Sequence, residues 1–119
     1  MPLPTTDPAN YAAQLAGKLA QFKLAFAPFA IPEPEVFASA PEHYRLRAEF
    51  RIWHQGDDLH YAMFDPDHPG QPVMVESFPM AAEPICGLMP RLMARLRPSQ
   101  ILRGGLFQVD FLATLSGEL

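Results

Sequence analysis

Tyr44 to Trp53, YRLRAEFRIW, alternates without a break: Tyr44, Leu46, Ala48, Phe50 and Ile52 point one way, Arg45, Arg47, Glu49, Arg51 and Trp53 the other. Period two is the signature of a strand with one oily and one wet face, so the chain must supply both a sheet and a cover for its apolar side. Gln55-Gly56-Asp57-Asp58 brings turn chemistry, and Leu59 to Phe64 returns as a second strand rich in aromatic and apolar residues. The polar face of this hairpin carries three guanidiniums, forked donors suited to phosphate, and an indole flat enough to take a base. The same pattern also suits a solvated face on which the arginines pair with acids such as Glu49.

The flanking segments predict the rest of the domain. Asp7-Pro8 is a helix start, and Tyr11, Leu15, Leu19, Phe22 and Phe26 form one apolar stripe, predicting a helix that packs on the sheet until Pro28 ends it. The stretch from Pro28 to Pro41 holds four prolines beside Phe29, Ile31, Val36 and Phe37, and predicts an extended arm laid along the domain. After the loop Asp65 to Pro72 come a third strand over Val73 to Phe78 and a helix over Ala81 to Arg97. That helix has Ile85, Leu88, Leu92 and Leu96 on one face with Met89 and Met93 beside them. Pro84 fits its first turn, whereas Pro90 is interior and should kink it. Gln100 to Gly105 predicts a turn. Leu106 to Ser116 alternates as a fourth strand and runs into the turn residues Ser116-Gly117, which call for a further partner strand.

Together these elements define one α+β domain over residues 1–119, an antiparallel sheet of about four strands with two helices packed on it. The formal charge of −4 argues against a generic nucleic-acid coat, but all seven arginines fall between residues 45 and 103, which permits a local basic surface. A single cysteine, Cys86, excludes an intrachain disulfide and suits a reducing compartment. The N-terminus MPLPTTDPAN has neither a basic nor an apolar signal region, and no apolar run approaches a membrane span, so a cytoplasmic, monomeric protein without membrane contact is expected. Asp65, Asp67 and His68 have no second cluster at ligand spacing, so no metal is expected. Cys86, with no basic residue beside it in sequence, reads as a packing residue, and His43, His54, His60 and His68 as surface or strand-filling ones. Phosphate-binding glycine loops and the usual hydrolase patterns do not occur, and no catalytic residue is assigned.

The central stretch His43-Tyr44-Arg45-x-Arg47-Ala48-Glu49-Phe50-Arg51-Ile52-Trp53-His54-x-Gly56-Asp57-Asp58-Leu59 resembles the N-terminal part of the bacterial tRNA (uracil-5-)-methyltransferases of the TrmA type. Tyr11-x-x-Gln14-Leu15-x-x-Lys18, Ala27-Pro28-Phe29, Pro34-Glu35-Val36-Phe37, Ser77-Phe78-Pro79 and Leu106-Phe107-Gln108-x-Asp110-Phe111-Leu112-x-Thr114-Leu115-Ser116 extend the resemblance in the same order. It implies an enzyme that methylates carbon 5 of the uridine at position 54 in the tRNA T loop with S-adenosylmethionine, through a cysteine thiolate that adds to carbon 6. That cysteine, the proton-abstracting glutamate and the cofactor domain belong to the family's C-terminal part. This chain is therefore expected to hold no cofactor, and to stop before its last strand and before the catalytic domain. The resemblance implies RNA contact by Glu49 and Arg51 and by Phe107, and raises the RNA reading of Arg45, Arg47 and Trp53 on the same face. By alternation Phe107 shares the core face of Val109 and Phe111; the resemblance instead implies that it stacks on an unpaired T-loop base. A stand-alone, non-catalytic module that binds RNA or another protein with the same fold is the alternative.

Overall fold

A computed structural model describes residues 5–119; the first four residues of the N-terminal stretch read above lie outside them. The organising hairpin forms as the alternation predicts. Strand β1 (Arg47–Gln55) pairs antiparallel with β2 (Asp58–Phe64) in a register that sets Ile52 against Tyr61 and Gln55 against Asp58. The two-residue turn works because Gly56 takes φ +58°, a conformation that costs glycine little. A short strand β3 (Pro72–Met74) adds to β2, and β4 (Gln108–Leu112) adds to the other side of β1. The four-stranded antiparallel sheet thus has the order β3-β2-β1-β4. The α+β class holds.

One face of that sheet is the core. Ala48, Phe50 and Ile52 from β1, Leu59 and Tyr61 from β2 and Phe111 from β4 are buried under helix α2 (Glu83–Leu96). Phe78, Met80, Ala81 and Ala82, just before α2, and Ala113 close the cluster. The buried stripe of α2 is Ile85, Met89, Met93 and Leu96, at spacings of four, four and three; Leu88 and Leu92, expected at its centre, are only partly buried on its flank. The flexible methionines fill the irregular space over the aromatic strands, a role their unbranched chains suit. Tyr61 ties the layers together by donating from its hydroxyl to the Met89 carbonyl at 2.7 Å. Pro84 sits in the first turn as expected. Pro90 lies on the exposed side, where water can serve the carbonyl it leaves unbonded, and the helix runs through it unbroken from Glu83 to Leu96.

Helix α1 (Tyr11–Ala25), preceded by a 3-10 turn over Pro8–Asn10, corrects the expectation that it packs on the sheet: none of its residues is buried. The apolar face is already taken by α2, and the proline-rich arm carries α1 away from it. The arm lies along α1 rather than along the sheet. Phe29 meets Phe26, Glu33 pairs with Lys23, and the Ser39 amide donates to the Tyr11 hydroxyl at 2.8 Å. The molecule is consequently long, 60 × 36 × 24 Å with a radius of gyration of 18.4 Å, where a compact chain of this length would have about 13–14 Å.

Three smaller corrections follow from edges and ends. β3 is shorter than predicted because Phe78 leaves the sheet to enter the core against Phe50. The expected turn after Pro98 contains a short helix α3 (Gln100–Arg103), capped by Ser99, whose hydroxyl accepts from the Leu102 amide. β4 is five residues long, and Thr114 to Glu118 then closes a turn in which Gly117 has φ +93° and the Thr114 amide donates to the Glu118 carbonyl.

The β1–β2 turn is fastened to the end of α2 through Asp58. Its carboxylate accepts from its neighbour's amide, Leu59 N–H, and from Arg97 Nε, each at 2.8 Å, while Arg97 Nη2 donates to the Leu59 carbonyl. The Leu59 amide first, and then Arg97 and His60, hold the Asp58 carboxyl below its ordinary value of 3.8. A folded-state value below the unfolded one means that this contribution to stability is present above pH 3.8 and is lost as pH falls through the folded-state value. An NMR titration is expected to show a depressed Asp58 midpoint that moves only part of the way back in Arg97→Ala, since the Leu59 amide remains. A normal midpoint in the native protein would contradict the fastening.

Candidate nucleic-acid interface

The face of the sheet opposite α2 is open. β1 places Arg47, Glu49, Arg51 and Trp53 on it, all exposed. Pairing then sets Asp110 beside Glu49, Gln108 beside Arg51, Ala62 on Arg51's other side and His60 beside Trp53. Arg45 is not part of this strand. The chain bends at Leu46, and Arg45 instead bridges to Ala81, its amide donating to the Met80 carbonyl and its carbonyl accepting from the Ala82 amide. Arg45 remains exposed and borders, with Arg47 and Glu49, a groove of about 610 Å³ that reaches Met63 and Phe78.

The arginines are not equivalent. Arg47 is paired with Glu49, a contact between exposed groups worth about 0–1 kcal/mol, which a phosphate can displace. Arg51 has no carboxylate partner among the described residues; its guanidinium lies 4.2 Å from the centroid of the Phe107 ring. Phe107 is 62% exposed and so has left the core side that alternation gave it. The departure has a local cause. Gly105 turns the chain with φ +73°, His54 Nε2 meets the Leu106 carbonyl at 2.7 Å, and the Phe107 carbonyl accepts from Ile52 N–H. The backbone is fixed while the ring is left outside. A guanidinium over an aromatic face is a favourable contact, and it also presents a cation and a flat ring together.

Beside this pair Glu49, Arg51, Phe64 and Gln108 surround a depression of about 190 Å³ floored by buried Ala62. Trp53 meets Phe64 edge-on at 6.3 Å and is 38% exposed, so part of its ring is already used in packing. Asp110 and Gln108 were not singled out from the sequence. Their alternation was legible, but only the β1–β4 register sets them against Glu49 and Arg51. The resulting face is mixed in charge, cationic at Arg47 and Arg51 and acidic at Glu49 and Asp110, with Arg45 exposed at the neighbouring groove.

Cys86 Sγ lies 3.8 Å from His43 Nδ1, a proximity invisible in sequence, but the thiol also meets the Phe78 and Ala81 carbonyls and the imidazole meets Ala81. Burial pushes the thiol up from its ordinary value, which opposes the thiolate that a nucleophile needs. Asp65 receives the Asp67 amide and contacts His68, as a turn aspartate does. Among the described residues no group of three His, Cys, Asp or Glu could hold a metal ion, and no helix is long and apolar enough to cross a membrane.

Fold and surface define an α+β domain with a sheet covered by a helix on one side and open on the other, where an arginine and an exposed aromatic ring stand together. Residues 10–119 match the family model described as tRNA (Uracil-5-)-methyltransferase, and the chain belongs to that family. Among its relatives are tRNA/tmRNA (uracil-C(5))-methyltransferases of Aromatoleum aromaticum, 67% identical, and Dechloromonas aromatica, 64% identical, both over the whole of this chain. That of Shewanella denitrificans is 54% identical, also over the whole chain. These matches cover 32%, 33% and 32% of the respective relatives, so the chain spans about a third of their length, at their N-terminal part.

Proposed function

We propose that this chain is the tRNA-engaging N-terminal part of an S-adenosylmethionine-dependent methyltransferase that forms 5-methyluridine at position 54, and that its open sheet face grips the T arm. The observation that carries the reading is the Arg51–Phe107 pair, unburied and unpaired with acid on the face that α2 leaves free. A guanidinium can neutralise a phosphate while the ring beneath it stacks on a base that has been unstacked from the loop. Methylation of a loop uridine requires that base to be taken out of its stack, and an exposed aromatic side chain can fill the space left behind. Arg45 and Arg47, along the neighbouring groove, would contact the backbone and Glu49 a base or ribose donor. The protein acts as a cytoplasmic monomer in this reading.

S-adenosylmethionine supplies the methyl group in such an enzyme, but the residues described here do not fit it. The sheet is antiparallel throughout, with no strand, glycine loop and helix in succession to hold a nucleotide-like ligand. Titrating the isolated domain with the cofactor by calorimetry or NMR is expected to give no saturable binding at micromolar concentrations. The function itself is tested by incubating the full-length enzyme with unmodified tRNA and methyl-labelled cofactor and locating the label. The expected result is 5-methyluridine in the T loop; labelling at another uridine, or none, would overturn the reading.

A further inference from the structure

Helix α1 and its arm expose Phe22, Leu24, Phe26, Phe29, Val36 and Phe37, with Leu24 at 77%, Phe29 at 65% and Phe37 at 86%. Such a concentration of large apolar side chains over residues 22–37 marks a contact surface rather than a solvated one. A helix of this length is marginal in water without a packed face, and α1 buries none of its residues. What holds it is local: the Phe22–Phe26–Phe29 rings, the Lys23–Glu33 pair and the Tyr11–Ser39 contact. The surface does not suit RNA. Between residues 22 and 37 the only cation is Lys23, already paired, beside Glu33 and Glu35.

We propose that this extension is a docking surface for the rest of its own polypeptide, the part beyond residue 119 that accounts for about two thirds of the relatives' length. The proposal rests on reading the chain as the N-terminal part of a longer methyltransferase. Covalent linkage favours that occupant over a second copy, because a tethered surface is met at an effective concentration of about millimolar. The α1 arm would then anchor the catalytic part while the open sheet face stays free for RNA.

The test places the photocrosslinking residue p-benzoylphenylalanine at position 29, and separately at position 37, in the full-length protein. Irradiation of a mixture of ¹⁴N- and ¹⁵N-labelled protein is followed by mass mapping, with T-arm RNA binding measured on the same samples. Crosslinks to residues beyond 119 carrying the same isotope label are expected at both positions. Crosslinks between differently labelled chains, crosslinks to added RNA, or none above the unirradiated control at either position would overturn the docking surface. RNA binding that persists in those cases would leave the T-arm reading intact, and docking crosslinks without RNA binding would do the reverse.

Discussion

Replacing Phe50 with alanine is expected to lower stability by about 3–5 kcal/mol, the largest effect of any single truncation in this domain. Phe50 is 1% exposed, and its ring stands 5.5 Å from Tyr61, 5.2 Å from Phe78 and 6.2 Å from Phe111. It therefore joins β1 to β2, to β4 and to the segment entering α2. Aromatic neighbours cannot collapse into the hole without leaving their own rotamers, so the cavity cost adds to the lost transfer energy. Domains of this size are stable by about 5–15 kcal/mol, so the loss would remove a large share of that margin. Urea melts measure it; a loss under about 1 kcal/mol would mean that Phe50 is not the centre of the core.

Phe50 was legible in the sequence because period two places it on the oily side of β1 whatever its partners are. The hairpin, the α+β class, helix α2 and the fourth strand were legible for the same reason. The failures have physical sources. Periodicity identified the apolar stripe of α1 but could not say what covers it, and a stripe left exposed reads like one facing a sheet. The alternation beginning at Tyr44 hid the bend at Leu46, because a bend of the backbone leaves no mark on a hydrophobic pattern. Phe107 obeyed the core alternation in sequence and left it in the fold, where the turn at Gly105 and the backbone bond to Ile52 decide the direction of the ring. The pairing of Arg47 with Glu49 was anticipated as one alternative. The freedom of Arg51 from a carboxylate required the register of both neighbouring strands.

The second large effect is expected in RNA binding. Arg51→Ala in the full-length enzyme should weaken T-arm affinity by about 1–3 kcal/mol, roughly 5- to 150-fold, for a lost charge-assisted phosphate contact. The slope of log affinity against log salt should fall by about one counterion's worth, near 0.7–0.9. Arg51 is exposed, so stability should stay within about 0.5 kcal/mol of the parent. Phe107→Ala should cost RNA binding a similar amount through lost stacking. Because the two side chains touch, the double substitution should cost less than the sum.

The most direct test of the open face as the RNA-gripping surface is Phe107→Ala in the full-length enzyme, with tRNA affinity and melting temperature measured on one preparation. An exposed stacking ring predicts an affinity lower by about 5- to 150-fold and an unchanged melting temperature. Unchanged affinity, or a large fall in melting temperature with tRNA binding preserved in the folded fraction, would contradict it.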